Sequence, residues 1–541
     1  MQTLSILNLI IAVLWLVSAT IDTAGHTYFW QLKWYRIDRF KDFLSTKQGQ
    51  SYVLSYPVFW RGLLAIALLY FLHHETLLLK YSIISFFVID IIRLGYLYIH
   101  KQLRRPQPSI KALLILTISL AVEAIWLLFT HNWDILLLVL IVRPFLIGGV
   151  VIVINEITNL IKKIYFIRAE KKLKKYQNLK IIGITGSYGK TTVKEFLSSI
   201  LGEKFCVIYT PKNINSDIGI SKFILQTDFS KAHIFIVEIG AYNTGDVQLV
   251  CDIVHPSIGI LTAINEQHLS LFGSMEKIQS AKYELLRAIP KNGLAITNSD
   301  NEYCREFLDE IKAKVATFGI EKKYGPTCEI EDLTDGKHQV LSVDILLQHG
   351  EKSLIHFHPK TTGRHNALNI APCILVADFL GMSKEEIITA VNNVSDPKTA
   401  IHSYSYGKAT IVDDSYNSNP QGFKAALDVL AAYPSARKRV VITRGMLELG
   451  DRSEELHEEI AGEISFVADE LVIITPDFIE PLKKGIAPRF KKIVVSVKTN
   501  PEELLSYIQS LKETDVVILL ENRVPSIIHQ ELDKYKTNST A

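Results

Sequence analysis

The distribution of hydrophobic positions divides the chain into two parts. Up to about residue 160, long runs of Leu, Ile, Phe and Trp alternate with short polar connectors, whereas the remainder alternates short apolar runs with amphipathic stretches. An apolar run of about 20 residues is long enough to cross a bilayer as a helix. The pattern predicts five membrane-spanning helices, near Leu4–Ile21, Tyr56–Leu72, Leu77–Ile99, Ile110–Thr130 and Trp133–Ile154.

The placement of Lys and Arg predicts how these helices are oriented. Basic residues cluster after the first, third and fifth spans, whereas the connectors 73–76 and 131–132 contain none. Because cytoplasmic loops carry the excess of Lys and Arg, the N-terminus is expected outside and residues after 160 in the cytoplasm. The first span lacks a charged segment before it and is interpreted as an anchor, not a signal peptide. We therefore expect a multi-pass protein of the inner or plasma membrane, with the lipid bilayer as a partner.

Four ionisable residues fall inside the predicted spans, namely Asp90, Arg93, Glu123 and Arg143. Charge within a bilayer is costly, so pairing or function is expected of such residues. Asp90 and Arg93 are three positions apart and share one helix face. Two interpretations remain open at this point: polar contacts that hold helices together, or a pocket for a lipid head group.

The second part of the chain predicts an α/β protein with mainly parallel sheets. Short apolar strands alternate with helical patterns from residue 178 onward, and a strand-rich polar stretch near Cys328–His358 predicts an antiparallel insert. A second set of strands begins after a helix that follows residue 383. The predicted organisation is a membrane domain (1–160), a basic linker (161–178), a P-loop central ATP-binding domain (179–395) and a C-terminal Rossmann-like α/β domain (396–541).

Composition narrows the choice of partners and compartment. The net charge is only +3, which gives no reason to expect a nucleic-acid partner. The cysteines are scattered without a C-x-x-C pair and all follow residue 200, which predicts reduced thiols rather than disulfides or a zinc site. They are Cys206, Cys251, Cys304, Cys328 and Cys373.

The strongest chemical signal is the segment 183–192, Gly-Ile-Thr-Gly-Ser-Tyr-Gly-Lys-Thr-Thr. It lies between an apolar strand and a helical pattern, which is the context of a phosphate-binding loop. Lys190 is expected to reach the outer phosphates of ATP, and the Thr191 hydroxyl to hold Mg²⁺. The spacing departs from the usual motif, because five residues rather than four separate Gly183 from Gly189; a glycine-rich turn without function is the alternative. The predicted ATP-binding residues here are Gly186, Ser187, Gly189, Lys190, Thr191 and Thr192.

Further polar residues follow the predicted strands, where α/β proteins collect ligands. Glu238 ends one strand and His268 follows the next, so the two side chains could together hold a second Mg²⁺. Lys282 lies on a helical stretch, where a surface lysine is the default interpretation. Asn366 and its neighbours begin a helix, either as an ordinary cap or as contacts to a nucleotide base. The turn that begins at Asp413 is either a helix cap or a site.

Taken together, these motifs resemble those of the Mur ligase family, ATP-dependent amide-forming enzymes of peptidoglycan precursor synthesis. The chain is most similar to the type that adds D-alanyl-D-alanine to a UDP-muramoyl tripeptide, and the similarity covers about residues 180–450. The matching stretches are Thr185–Thr192, Asn213–Gly219, Glu238–Ala241, His268–Ser274, Ala281–Glu284, His365–Asn369, Asp413–Pro420 and Met446–Gly450.

The resemblance implies a reaction in which ATP converts a carboxylate to an acyl phosphate that an amine then attacks. It implies that Lys190 binds the transferring phosphate, that Thr191 and Glu238 place one Mg²⁺, and that His268 places another. Lys282 matches the family lysine that can be carbamylated, and Lys190, Lys282 and His268 are the expected catalytic residues. Further ATP contacts are implied for Asn298, Asn366, Asn369, Asp413, Tyr416 and Asn417.

The sequence also departs from the family pattern. The predicted membrane region stands in place of a soluble UDP-binding domain, so a muramoyl-peptide-like carboxylate acceptor could be soluble or lipid-linked. Lys398 stands near the place of a family arginine, and residues 521–525 replace a Lys-Gly-Ser signature. The amine, an amino acid or a dipeptide, is left open. The alternatives are a ligase for another polymer (poly-γ-glutamate or cyanophycin type) and a nucleotide-switched membrane scaffold.

Overall fold

The computed structural model describes most of the chain, and it divides into two compact units, Met1–Ile164 and Tyr165–Ala541. The described residues are 2–45, 49, 66, 76–99, 104–130, 135–211, 214–332, 341–346, 352–360, 364–395, 401–415, 419–486 and 493–536. Every structural statement below refers to these residues.

The first unit is helical. Its helices are α1 (Gln2–Leu32), α2 (Ile37–Ser45), α3 (Thr76–Ile99), α4 (Ile110–Thr130) and α5 (Ile135–Leu173), the last of which continues into the second unit. Three segments of these helices are long and apolar enough to cross a membrane: Ile6–Leu32, Lys80–Ile99 and Val142–Leu173. The first, third, fourth and fifth predicted spans coincide with α1, α3, α4 and α5. The second, Tyr56–Leu72, lies outside the described residues except for Ile66.

Each of the four ionisable residues inside the predicted spans has a partner of opposite charge. Arg143 on α5 is fully buried; its Nε and Nη2 donate to the two carboxylate oxygens of Glu123 on α4, at 2.7 and 2.8 Å. Its Nη1 also lies 2.9 Å from Asp22 Oδ2 on α1. On α3, Asp90 accepts from Arg93 and from the Ser18 hydroxyl of α1. The contacts of Arg143 with Glu123 and Asp22 and that of Ser18 with Asp90 connect different helices, which favours the first interpretation of these charges, contacts that hold the helices together.

The second unit begins with a nine-stranded sheet in the order β2-β3-β1-β4-β5-β6-β7-β8-β9. Strands β1 to β7 pair in parallel, and β8 and β9 are added antiparallel, as the sequence predicts for this stretch. The strands are β1 (Lys180–Thr185), β2 (Val207–Tyr209), β3 (Ile234–Glu238), β4 (Ile258–Leu261), β5 (Leu294–Asn298), β6 (Lys314–Gly319), β7 (Cys328–Asp332), β8 (Leu341–Leu346) and β9 (Lys352–Phe357).

Helices cover both faces of this sheet, which explains why its central strands are apolar on both sides. The helices are α6 (Lys190–Gly202), α7 (Asp217–Gln226), α8 (Asp246–Val254), α9 (Leu269–Phe272), α10 (Met275–Ala288), α11 (Arg364–Phe379) and α12 (Lys384–Asn392). One core joins α6, α11 and α12 to the sheet, and the other joins α7, α8 and α10 to the opposite face. We call this assembly the first α/β domain.

A second sheet forms the second α/β domain, in the order β10-β11-β15-β12-β13-β14. Strand β10 is antiparallel to β11 and the other pairs are parallel. Its strands are β10 (His402–Tyr406), β11 (Ala409–Asp414), β12 (Lys438–Thr443), β13 (Glu470–Ile473), β14 (Val494–Val497) and β15 (Val516–Glu521). Its helices are α13 (Pro420–Ala431), α14 (Ser453–Val467), α15 (Ile479–Gly485), α16 (Pro501–Leu511) and α17 (Ser526–Lys536).

The segment expected to be a basic linker is helical up to Leu173, and its last turns belong to the second unit. Ala169 and Leu173 are buried in the core of the first α/β domain. The Lys172 ammonium donates to the carbonyls of Leu225 and Thr227, at 2.9 and 2.6 Å, at the C-terminal end of α7. Ala169 and Leu173 are four positions apart and therefore share one helix face. The prediction of a linker considered only the basic residues of this segment and so missed this apolar face.

Candidate active site

The loop between β1 and α6 requires glycine at two positions. Gly186 and Gly189 have φ angles of 151° and 79°. A Cβ atom on Gly186 would lie 2.0 Å from the Thr262 hydroxyl oxygen, and one on Gly189 would lie 2.8 Å from Asn369 Oδ1. Both conformation and space therefore exclude a side chain, as expected where a backbone must approach a ligand closely.

The loop ends at the N-terminus of α6, whose N-cap is Gly189. Because glycine has no side chain to accept hydrogen bonds, the first N–H groups of the helix are left for an anion. The Lys190 ammonium donates to the carbonyls of Gly186 and Ser187, at 2.7 and 3.1 Å, so its side chain lies against the backbone of the loop. Burial lowers the pKa of Lys190, an effect that the nearby carboxylate of Glu238 opposes. Thr192 is half-buried in the first turn of α6.

Beside this loop, a buried carboxylate gathers donors from several elements. Glu238 ends β3, and its Oε2 accepts from the Thr191 hydroxyl at 3.0 Å and from the Lys194 ammonium at 2.8 Å. Its Oε1 accepts from Asn215 Nδ2 at 3.3 Å, and its backbone N–H donates to the Thr210 hydroxyl at 3.1 Å. The sequence places Thr191 and Glu238 together correctly, but it does not reveal Lys194.

The Thr191 hydroxyl and the Glu238 carboxylate are hard oxygen donors, which fit Mg²⁺. No group of three His, Cys, Asp or Glu side chains suited to a metal forms in the described parts of the chain. Mg²⁺ commonly takes one or two protein oxygens and completes its shell with phosphates and water, so two donors beside a phosphate loop are consistent with it.

His268, predicted as a further Mg²⁺ ligand, lies at a contact between the two α/β domains. It precedes α9 with a φ of 66°. Its Nδ1 is hydrogen-bonded to the carboxylate of Glu448, and its ring packs 5.2 Å from that of Tyr242. Among the described residues, no hydrogen bond joins His268 to Glu238, so its role as a metal ligand stays a prediction.

Lys282 is not the surface residue that the default interpretation of its helix suggests. Its side chain on α10 is buried. Burial lowers its pKa well below the ordinary value, and the positive charge of Lys190 lowers it further, whereas Cys304 acts in the opposite direction. No carboxylate in the described residues forms an ion pair with it. A lysine whose pKa is lowered in this way supplies more of the neutral, nucleophilic amine than an exposed lysine does.

The predicted adenine contacts divide into two groups. Asn298 is buried, and its amide is used within the turn after β5: Nδ2 donates to the Thr262 carbonyl at 3.2 Å, and Oδ1 accepts from the Asp300 N–H at 2.9 Å. Asn366 and Asn369 lie on α11, and Asn369 is adjacent to Gly189 of the loop. The helix therefore brings Asn369 to the phosphate loop, whereas Asn298 shapes the neighbouring turn.

A polar cleft of about 320 Å³ opens next to the phosphate loop. The loop is connected to one wall of the cleft, because the Asn265 N–H donates to the Ser187 hydroxyl at 3.0 Å. The cleft is lined by Ile264, Asn265, Glu266, Asp300, Asn301, Glu302, Tyr303, Arg305, Tyr324, Gln421 and Arg452. Both α/β domains contribute to this lining, which is mainly polar.

Contacts across the cleft hold the two α/β domains together. Asn265 Nδ2 donates to Asn419 Oδ1 at 3.2 Å, and Arg452 forms an ion pair with Glu266. Nearby, the Ser270 N–H donates to the Glu448 carbonyl at 3.2 Å. Sequence reasoning missed Glu448 and Arg452, since nothing in their local pattern shows that they meet another domain.

The predicted turn after β11 forms a local cap. Asp413 Oδ1 accepts from the Ser415 N–H at 3.1 Å, and Asn419 caps α13 by accepting from the Gly422 N–H at 3.0 Å. Burial raises the pKa of Asp414, and the neighbouring charge of Asp413 adds to the effect. Tyr416 and Asn417 lie outside the described residues, as does Lys398, so their predicted contacts remain predictions.

Comparison with known proteins identifies two matching family profiles. The Mur ligase middle domain matches residues 184–377, and the "Mur ligase, glutamate ligase domain" matches residues 400–520. These ranges correspond to the first and second α/β domains and together include most of the residues described above.

Several curated relatives are named UDP-N-acetylmuramoyl-tripeptide--D-alanyl-D-alanine ligase. The chain is 32% identical to the protein from Synechocystis sp. over 302 residues, which cover 55% of this chain and 62% of the relative. It is 30% identical to the protein from Borreliella burgdorferi over 312 residues, which cover 56% of this chain and 64% of the relative. The chain therefore matches less than two thirds of the length of these relatives.

Solved structures agree with the fold. The MurF ligase from Thermotoga maritima in complex with ADP superposes with a TM-score of 0.57 at 26% identity and covers 69% of this chain and 84% of its own. MurF from Acinetobacter baumannii gives a TM-score of 0.59 at 23% identity, over 70% of this chain and 80% of its own, which is a likeness of fold.

Proposed function

Because the chain belongs to the Mur ligase family, we propose that it is an ATP-dependent ligase that joins a carboxylate to an amine. The main support for this proposal is the position of the loop that ends in Lys190. It adjoins Thr191 and the buried Glu238, and the nucleotide-sized cleft lies beside it. This arrangement combines an anion site, oxygen donors for Mg²⁺ and space for a nucleoside in one place. ATP and Mg²⁺ are accordingly the proposed cofactors.

The proposed reaction has two steps. A carboxylate oxygen of the acceptor attacks the γ-phosphorus of ATP; the bond to the bridging oxygen breaks, and ADP leaves with that electron pair. The amine nitrogen then attacks the acyl carbon, loses a proton and expels inorganic phosphate. An acyl phosphate hydrolyses readily in water. Closure of the two α/β domains over it excludes water, so that more of the intermediate reacts with the amine.

Individual residues have distinct proposed roles in this reaction. The Lys190 ammonium and the first N–H groups of α6 stabilise negative charge on the transferring phosphoryl group. Thr191 and Glu238 hold one Mg²⁺, which supplies charge neutralisation when bound, and His268 is a proposed ligand of a second. The neutral amine of Lys282 attacks the carbon of CO₂ and releases one proton to solvent, which gives a carbamate anion in place of a buried amine.

The substrates are proposed from the relatives. The name of these relatives describes a ligase that acts on a UDP-N-acetylmuramoyl tripeptide and D-alanyl-D-alanine. We propose a muramoyl-peptide carboxylate as the acceptor and a D-alanyl-D-alanine type amine, hence a role in peptidoglycan precursor synthesis. The apolar helices of the first unit support a multi-pass membrane location. The distribution of Lys and Arg supports catalytic domains in the cytoplasm. A lipid-linked acceptor is therefore tested beside the soluble one.

Product analysis tests the proposal. The purified full chain is incubated with Mg-ATP, D-alanyl-D-alanine and either a soluble UDP-linked or a lipid-linked muramoyl tripeptide, and products are identified by mass spectrometry. We expect ADP, phosphate and an amide product in equal amounts with at least one acceptor. Lys190→Ala is expected to lower the rate at least about 10²-fold, because it removes charge stabilisation at the transferring phosphoryl group. Steady ATP hydrolysis that ignores both acceptor and amine would contradict the proposal and indicate a nucleotide switch.

A further inference from the structure

A buried lysine one turn beyond the phosphate loop has no role in the reaction described so far. The Lys194 side chain is 1% exposed, and its Nζ lies 2.8 Å from Oε2 of Glu238, whose side chain is 3% exposed. Lysine is almost never fully buried without a partner, because its ammonium loses its hydration. Residues four apart share a helix face, so Lys190 and Lys194 both lie on the side of α6 that faces the site.

Lys194 is one of several groups that hold Glu238 in place. Oε1 of that carboxylate accepts from Asn215, and the backbone N–H of Glu238 is fixed by the Thr210 hydroxyl. Oε2 accepts from Thr191 in addition to Lys194. The distinctive contribution of Lys194 is therefore its positive charge, delivered to the oxygen that also contacts the Thr191 hydroxyl.

That charge opposes the binding of a cation. Lys194 is paired with Glu238, and the charge of Glu238 also acts on Lys190, so two ammonium groups on α6 lie near this carboxylate. A dication that approached Oε2 alone would meet their repulsion in a poorly solvated setting, where charges interact strongly. A nucleotide changes the balance, because its phosphates bring several negative charges at the N-terminus of α6.

We propose that Lys194 keeps the metal site from loading free divalent cation, so that Mg²⁺ enters as its nucleotide complex. The inference rests on the proposed function, since it takes Thr191 and Glu238 as the metal ligands. Lys194 is in this sense a positioning residue for the order of binding.

Direct metal binding without nucleotide tests the inference. Mn²⁺ serves as the probe, and its unbound fraction is followed by electron paramagnetic resonance with the full chain in detergent at about pH 8. Lys194→Met is expected to bind free Mn²⁺ about tenfold more tightly than the unaltered protein, or better, since one unit of repelling charge is gone. Lys194→Gln, which keeps a donor for Glu238, is expected to change in the same direction and serves if the first variant does not fold.

Matched controls separate charge from other effects. Lys194→Arg keeps the charge and is expected to bind free Mn²⁺ as weakly as the unaltered protein. Lys204→Met removes a half-exposed lysine of the same domain, paired with Glu386, and is expected to have no effect. Adding Glu238→Gln to Lys194→Met is expected to abolish the gain.

The outcomes distinguish this inference from the function on which it rests. Unchanged or weaker binding of free Mn²⁺ in folded Lys194→Met and Lys194→Gln overturns the inference alone, provided that the unaltered protein binds Mn²⁺ together with ADP. Failure of the unaltered protein to bind Mn²⁺ with ADP overturns the proposed phosphate and metal site, and this inference with it.

Discussion

His268 of the first α/β domain is hydrogen-bonded to Glu448 of the second, and both residues have left-handed backbone conformations, with φ of 66° and 63°. Left-handed φ is uncommon outside glycine and costs free energy, so it persists only where surrounding contacts impose it. Here the Ser270 N–H also donates to the Glu448 carbonyl. Side-chain and backbone contacts thus join the two domains at this point.

Loosening this contact is expected to uncouple ATP consumption from amide formation. In Glu448→Ala and Arg452→Ala, the acyl phosphate would be reached by water more often, since both residues bridge the two α/β domains. We expect the ratio of phosphate released to amide formed to rise several-fold above one, measured by phosphate assay and product chromatography. Lys484→Ala, which breaks an exposed ion pair with Glu458 within one domain, is the control. A ratio that stays at one in both cleft variants would show that closure does not depend on these residues.

Lys282 is expected to make activity depend on dissolved CO₂. Only the neutral amine reacts with CO₂, and burial together with the charge of Lys190 lowers the pKa of Lys282, which favours that form. We expect a carbonyl ¹³C signal of a carbamate after incubation with ¹³C-bicarbonate, absent in Lys282→Ala, and loss of amide formation by at least about 10²-fold in that variant. Lys277→Ala, on the same helix but outside its buried face, is the matched control. A fully active Lys282→Ala would remove this residue from the catalytic set.

His457 is expected to make stability fall in mild acid. It is buried on α14, where its Nε2 accepts from the Met446 N–H at 2.9 Å and its Nδ1 faces the Ser453 carbonyl. Burial lowers its pKa below 6.5, so the folded protein holds it neutral. Below about pH 6.5 the unfolded chain binds a proton that the folded chain does not, so the free energy of unfolding drops as pH falls through that range and is fully retained above it.

Thermal unfolding between about pH 7.5 and pH 5.5 measures this effect. His457→Gln is expected to be less stable at both values but to lose less on acidification than the unaltered protein. His529→Gln, a partly exposed histidine of the same domain, is expected to keep the original pH dependence. An identical loss on acidification in His457→Gln would assign the pH dependence to other groups.

The end of α5 is expected to be essential for a stable catalytic fragment. Ala169 and Leu173 are buried against the first α/β domain, and Lys172 caps α7. A fragment that begins at Tyr165 should therefore be more stable than one that begins at Lys174, by about 3 kcal/mol or more, which is typical for loss of one large buried side chain. Denaturant unfolding of both fragments tests this, with a fragment that begins at Leu160 as the control. Equal stability of the two fragments would show that the basic segment is only a tether.

Local sequence was sufficient for much of the fold and for the phosphate loop. Strands and helices follow from apolar periodicity, and Gly186, Gly189 and Lys190 follow from a motif whose residues lie within one turn of chain. The pairing of Thr191 with Glu238 was implied by the family resemblance, and it agrees with the rule that parallel strands present their carboxyl ends at one edge of the sheet. Such features depend on neighbours in sequence or on rules that hold for every parallel sheet.

Only the tertiary structure decided which distant side chains meet and which are removed from water. The pairing of Lys194 with Glu238, the burial of Lys282 and the docking of Ala169 and Leu173 depend on packing between elements far apart in the chain. The bond between His268 and Glu448 depends on how two domains close. Burial and long-range contacts determine the charge state of a side chain and the residues that it pairs with. Residue type alone determines neither of these.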